Sequence, residues 1–218
     1  MNKQEVLEAI LERKIVAIFR GIDPERCSEA ANALYAGGVA ICEVTFDQNE
    51  VEGGYASTVN SIKNILAGKG DRAIFCGAGT VLTCEQVVLA YNAGASFIIT
   101  PNTDPEVIDR ANSLGMVTMP GAFSATEAVI AYQAGADFVK IFPAVIGGPA
   151  YIKAIRGPLS HIPFTAVGGV DEKNAKSFLD AGCVGLGIGG NLVSKKLISE
   201  GKYDELTALA RTYVNAIS

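Results

Sequence analysis

Phe138-Val139-Lys140-Ile141-Phe142-Pro143 sets a single lysine in the middle of an apolar run. Burial there would strip the water that stabilises its charge, lower its pKa and leave a neutral, nucleophilic amine. Ile41-Cys42-Glu43-Val44-Thr45-Phe46 treats a carboxylate the same way. An amine that attacks carbonyl carbon and a proton-carrying group near it are what imine chemistry needs, because forming a carbinolamine and expelling water from it both move protons. Plainer readings fit the same runs: an ion pair buried inside the fold, or a lysine with a buried stem and its head in water. Two glycine pairs, Gly168-Gly169 and Gly189-Gly190, each follow an apolar run. Backbone amides in such loops hold phosphate when a helix N-terminus stands behind them, although tight turns use glycine without any ligand.

Other chemistries lack their raw material. The one histidine, His161, lies in the turn Pro158-Leu159-Ser160-His161-Ile162-Pro163, so His-dependent triads and His-rich metal centres are not expected. The five cysteines are odd in number, never spaced CxxC and mostly flanked by apolar residues, which predicts buried thiols with no disulfide and no zinc cluster. A net charge of -5 without any basic run argues against nucleic acid or an anionic membrane surface as partner. No apolar stretch reaches the roughly 20 residues that span a bilayer, and Met1 to Lys14 reads as an amphipathic, mixed-charge helix rather than a signal peptide. The expected location is the cytoplasm.

The elements that must position Lys140 and Glu43 follow a simple rhythm. Short β-branched runs occur at Ile15–Phe19, Ala40–Phe46, Ala73–Cys76, Ser96–Thr100, Met116–Met119, Asp137–Phe142, Pro163–Val167 and Val184–Ile188. Helical patterns fall between them, among others at Pro24–Tyr35, Cys84–Ala93, Pro105–Leu114, Ala125–Ala134 and Glu172–Ala181. Gly37, Gly94, Gly135 and Gly182 follow four of these helices and suit left-handed C-terminal caps. The related turns Gly-Gly-Val-Ala, Ala-Gly-Ala-Ser, Ala-Gly-Ala-Asp and Ala-Gly-Cys-Val repeat one way of leading into a strand, as packing at the lower rim of a barrel demands. Eight βα units in 218 residues, with 49% hydrophobic and 19% charged residues, predict one domain over residues 1–218. Its fold class is α/β, a single (β/α)8 TIM barrel with an additional N-terminal helix. An open dinucleotide-binding sheet fits less well, since strand one ends in Phe19-Arg20-Gly21 and not in GxGxxG. In a barrel, reactive side chains belong at the C-terminal ends of strands, and a phosphate site belongs after strands seven and eight, where the two glycine pairs stand.

From about Lys14 to Val193, in order, the chain resembles the 2-keto-3-deoxy-6-phosphogluconate (KDPG) and 4-hydroxy-2-oxoglutarate (KHG) aldolase family. The matching segments are Glu43-Val44-Thr45-Phe46, Gly77-Ala78-Gly79-Thr80-Val81, Pro120-Gly121, Phe138 to Ala144, Gly168-Gly169-Val170 and Gly187-Ile188-Gly189-Gly190. The resemblance implies a class I aldolase without a cofactor or metal. In it Lys140 forms an imine with a 2-keto acid and Glu43 shuttles protons. It further implies that Arg20 meets the substrate carboxylate, that Thr80, Pro120 and Gly121 line the pyruvate end, that Gly168, Gly169, Gly189, Gly190 and Asn191 hold a phosphate, and that the chain is a homotrimer. The small-molecule partner would be a phosphorylated 2-keto acid.

The chain departs from the family pattern at three places. Asp47 stands where many members carry a carboxylate-binding arginine, Ala166-Val167 replaces Pro-Thr before the first glycine pair, and Asn191 replaces a serine after the second. Two hydroxyl donors near the phosphate are thereby lost, while an Asn amide and the backbone amides can still donate. Two other functions remain at this point: a phosphate-binding barrel isomerase or synthase in which Lys140 only binds charge, and a non-catalytic metabolite-binding barrel. A metal-dependent aldolase fits poorly with one histidine in a turn.

Overall fold

A computed structural model of the chain describes residues 2–218. Helix α1 (Lys3–Arg13) comes first, followed by β1 (Ile15–Phe19), α2 (Pro24–Ala36), β2 (Ile41–Thr45), α3 (Ala56–Gly68), β3 (Phe75–Gly79), α4 (Cys84–Asn92), β4 (Phe97–Ile99) and α5 (Pro105–Ser113). The second half runs β5 (Val117–Met119), β6 (Gly121–Ala122), α6 (Ala125–Gln133), β7 (Val139–Ile141), α7 (Ala144–Arg156), β8 (Phe164–Val167), α8 (Ala175–Asp180), β9 (Gly185–Ile188), α9 (Lys195–Ser199) and α10 (Tyr203–Ile217). All strand pairs are parallel, in the order β5-β4-β3-β2-β1-β9-β8-β7-β6. β5 and β6 are one path interrupted at Pro120: its first half pairs with β4 and its second half with β7, so the sheet closes on itself. The result is the expected (β/α)8 barrel, with its fifth strand in two pieces.

The barrel has two cores, which alternation along the strands separates. Outward residues such as Ala17, Cys42, Ile98, Val139 and Ala166 pack against the helices, whose inner faces are rich in alanine. Inward residues Val16, Ile41, Phe97, Ile99, Val117, Met119 and Phe138 fill the lumen, together with Val6 and Ile10 of α1. Helix α1 therefore plugs the N-terminal end of the barrel. Asn2 and Glu5 form a capping box that starts this helix, and Lys3 ties it to the barrel through Asp137 at 2.8 Å and Asn112 at 2.9 Å.

Four expectations need correction. The third strand runs Phe75–Gly79 and not Ala73–Cys76. Gly77-Ala78-Gly79 looks like a turn, yet both glycines are strand residues whose missing side chains make room: a Cβ on Gly77 would overlap the Phe97 ring, and one on Gly79 would overlap the Glu43 carboxylate. Gly37 is not left-handed. Its φ is -87°, and Gly38 at +98° makes the turn instead; Gly37 is small because α10 crosses it, with Ala210 and the Thr207 carbonyl where a Cβ would stand. Gly94, Gly135 and Gly182 do take positive φ, as expected of caps. The helix read at Glu172–Ala181 begins only at Ala175, because Asp171 and Asn174 bond each other's backbone and hold the preceding residues in a turn. The sixth strand of the sequence pattern, Asp137–Phe142, is shorter as β7, since Asp137 turns away to bond Thr118 and Lys3.

Candidate active site

Lys140 sits in the middle of β7 and is 5% exposed. Its backbone N–H donates to the Pro120 carbonyl at 2.8 Å, and the register sets it beside Gly121 on one side and Thr165 on the other. Pro120 and Gly121 thus stand against the lysine. Gly121 must lack a side chain, because a Cβ would overlap the Pro101 carbonyl. The Lys140 ammonium end lies over the Phe142 ring, 4.6 Å from its centroid.

Glu43 on β2 is 2% exposed, and its carboxylate packs over Gly79 of β3. Its Oε2 has no hydrogen-bond partner in the protein. Burial pushes the Lys140 amine below the usual lysine range; the Glu43 charge opposes this and the Arg20 charge adds to it. Burial likewise raises the Glu43 carboxyl, opposed by Lys140 and Arg20. Each group therefore senses the other, and desolvation moves both toward their neutral forms. A neutral amine and a carboxyl poised to give or take a proton are what nucleophilic attack on a ketone requires.

Arg20, one residue beyond β1, lines two cavities at the C-terminal end of the barrel. The larger, of about 750 Å³, also has Thr45, Asp47, Gln48, Thr80 and Lys195 in its wall. Thr80 follows β3 with φ +56°. Asp47 faces this cavity while its Oδ1 accepts from both the backbone and the side chain of Asn49, each at 3.0 Å. The smaller cavity, of about 290 Å³, is walled by Gly168, Gly169, Gly189, Gly190 and Asn191, with Phe142 and Val167 beneath. Gly168 and Gly169 have φ of +93° and +78°, and a Cβ on either would press on Phe142 or Val145. Nothing lies within 4 Å of where a side chain on Gly189 or Gly190 would be, so this side of the loop is open. The Asn191 amide donates to the Val170 carbonyl at 3.3 Å and bridges the two glycine loops. Of the eleven residues singled out in the sequence, Arg20, Thr80, Gly168, Gly169, Gly189, Gly190 and Asn191 line these two cavities, whereas Lys140, Glu43, Pro120 and Gly121 line neither. His161 is not among the eleven: it is exposed in the turn before β8, at the opposite end of the barrel, with its ring against Tyr132.

Several residues of this region were not singled out in the sequence. Thr165, 1% exposed, carries a hydroxyl without a protein partner next to Lys140 in the register. Strand parity alone would place it inward with Val167. Phe142 joins Lys140 to the smaller cavity, and Gln48 and Lys195 reach the larger one. The five cysteines are free thiols, and burial pushes Cys27 up to about 11 and Cys42 and Cys183 up to about 12, which keeps these three protonated. Among the described residues no three His, Cys, Asp or Glu side chains converge to hold a metal ion.

A family model described as KDPG and KHG aldolase matches residues 6–209. The 2-dehydro-3-deoxy-6-phosphogalactonate aldolase of Escherichia coli (strain K12) is 38% identical over 204 residues, covering 93% of this chain and 96% of its own. The 2-dehydro-3-deoxy-phosphogluconate aldolase of Haemophilus influenzae is 31% identical over 215 residues, covering 98% of this chain and 97% of its own. Among solved structures, the KDPG aldolase of Legionella pneumophila, with pyruvate captured as a covalent carbinolamine intermediate, superposes with a TM-score of 0.83 at 25% identity. The match covers 94% of this chain and 96% of that one.

Proposed function

Since the chain belongs to the KDPG and KHG aldolase family and is a carbon–carbon lyase of class I, we propose that Lys140 is its imine-forming nucleophile and Glu43 its proton carrier. The observation that carries this reading is the buried pair itself: an amine pushed toward neutrality on β7 and a carboxyl pushed toward neutrality on β2, each sensing the other's charge, with the amine over Phe142 in the wall of the smaller cavity. The isomerase, synthase and non-catalytic readings give way to it.

Lys140 Nζ attacks the C2 carbonyl carbon of the keto acid, and loss of water from the carbinolamine leaves a protonated imine. The imine draws the electrons of the C3–C4 bond as that bond breaks, Glu43 takes the proton of the C4 hydroxyl, and the aldehyde departs. Protonation of the resulting enamine at C3 and addition of water at C2 release pyruvate and return the free amine. Arg20, able to present two N–H groups, and Thr80 receive the keto-acid carboxylate, and Pro120-Gly121, beside Lys140, lines the pyruvate end.

The backbone amides of the two glycine loops and the Asn191 side chain receive a phosphate in the smaller cavity. The substrate is accordingly a phosphorylated 2-keto-3-deoxy sugar acid, the 6-phosphogluconate compound or its galactonate epimer, cleaved to pyruvate and D-glyceraldehyde 3-phosphate. Val167, in the wall of the smaller cavity, offers no hydroxyl to the phosphate, which leaves that task to the Asn191 amide and the backbone amides. Loss of phosphate from the substrate is expected to raise KM far more than it lowers kcat. Equal turnover of 4-hydroxy-2-oxoglutarate and the phosphorylated acids would remove the phosphate assignment.

The deciding test is borohydride trapping with pyruvate, read by intact mass and peptide mapping, on wild type and Lys140→Ala. An adduct on Lys140 that vanishes in the variant is expected; absence of any adduct in folded wild type would overturn the mechanism. No helix is long and apolar enough to cross a membrane among the described residues. The free thiols support a reducing, cytoplasmic setting. Family membership supports a homotrimer, which light scattering would check.

A further inference from the structure

Two glutamines, Gln48 in the wall of the larger cavity and Gln86 outside its lining, form a chain of hydrogen bonds that the aldolase chemistry does not account for. Gln86, in the first turn of α4, is completely buried. Its Oε1 accepts from the Leu82 backbone N–H at 2.6 Å, and its Nε2 donates to Gln48 Oε1 at 2.9 Å. Gln48, in the loop after β2, then donates from its Nε2 to the Thr80 carbonyl at 2.8 Å. The chain ends on a β-branched residue held at φ +56°, a conformation such residues rarely adopt. Residues in such conformations persist only where their surroundings over-determine them.

We propose that Gln86 and Gln48 are positioning residues: their amide relay holds the Thr80 backbone left-handed and thereby shapes the end of the site that takes the keto-acid carboxylate. This rests on the reading of Thr80 given above. The relay runs in one direction only. Gln86 must accept at Leu82 and therefore donates to Gln48, and Gln48 must donate to a carbonyl and therefore accepts from Gln86. Turning over either amide would set two acceptors, or two donors, face to face. It also joins the loop after β2, which carries Asp47, to the loop after β3, which carries Thr80. Two walls of the cavity are thus fixed to each other through a side chain that is itself sealed from solvent.

Replacing Gln86 by glutamate tests this without changing its shape. Ionised, the Q86E carboxylate still accepts from Leu82 but turns an oxygen toward Gln48 Oε1, and the relay breaks. Protonated, its O–H donates to Gln48 and the relay is restored. The measurement is the pyruvate dependence of borohydride trapping on Lys140, against pH, for wild type and Q86E. At pH 8 the half-saturating pyruvate concentration of Q86E is expected to rise about tenfold, as the loss of roughly one hydrogen bond implies, and by more than the saturated rate falls. Lowering the pH should bring the variant back toward the wild-type value measured at the same pH. Gln48→Ala breaks the relay at Thr80 without disturbing α4; it should show the same rise and no recovery with pH, and it decides the matter if Q86E does not fold. Half-saturation within twofold of wild type in a folded variant at every pH would overturn the relay while leaving the aldolase reading intact. Failure of wild type to trap at all would overturn both.

Discussion

At Lys140 and Glu43 the environment, not the side chain, sets the chemistry, and both groups give predictions with definite signs. Folded Lys140 gives up its proton at lower pH than the unfolded chain does. Between that lowered value and the ordinary one near 10.5 the unfolded chain binds more protons, so stability rises with pH across this window. Lys140→Met should flatten that rise in denaturation midpoints measured from pH 7 to 10; an unchanged slope would mean that the amine is not perturbed. Glu43 works with the opposite sign. Its carboxyl holds a proton longer when folded, so just above its ordinary value of 4.5 its contribution falls as pH rises. Glu43→Gln should lower kcat by about 10²–10⁴-fold, the usual worth of a positioned acid/base, and a loss under tenfold would assign the proton transfers elsewhere. These two residues were legible in the sequence because a charge in the middle of an apolar strand is conspicuous. Thr165 and Gln86 were not, because a threonine in a strand and a glutamine in a helix are ordinary, and only their partners, or lack of them, mark them out.

At the scale of elements, glycine misled where it was read by one rule. The sequence placed glycines at helix ends as left-handed caps, which holds for Gly94, Gly135 and Gly182. Gly37 and the Gly77-Ala78-Gly79 segment owe their glycines to close approach of α10, Phe97 and Glu43, and contacts between elements distant in sequence leave no local pattern. The distinction is measurable. Gly37→Ala should cost about 1–3 kcal/mol of stability, as overpacking does, with kcat nearly unchanged, since its neighbours lie between α2 and α10. Gly79→Ala should cost activity as well, because the added methyl competes with the Glu43 carboxylate for one space. Should Gly79→Ala retain full kcat, the seat of Glu43 over β3 would have to be given up. The break at Pro120 belongs to this scale too. The run Met116–Met119 looked like a complete strand, yet it is Pro120 and Gly121, just beyond it, that meet Lys140.

For the whole molecule, the rhythm of eight βα units was enough to expect a barrel, and the position of the glycine pairs was enough to expect a ligand end. The N-terminal helix was expected as an amphipathic addition to the barrel, but its sequence does not say that two of its apolar positions, Val6 and Ile10, enter the lumen. Ile10, wholly buried, should cost about 2–5 kcal/mol when cut to alanine. The loss should appear in chemical denaturation, without the change in KM that a substitution near the cavities would bring. Because packed side chains and α1 fill the lumen behind the site, it can be entered and left from one end of the barrel only, and passage takes a queue. The keto acid is bonded at depth and the aldehyde lies nearer the exit, so in cleavage the aldehyde is first out and pyruvate last. Pyruvate should therefore inhibit cleavage competitively and the aldehyde noncompetitively; in synthesis the keto acid has to be seated before its partner arrives.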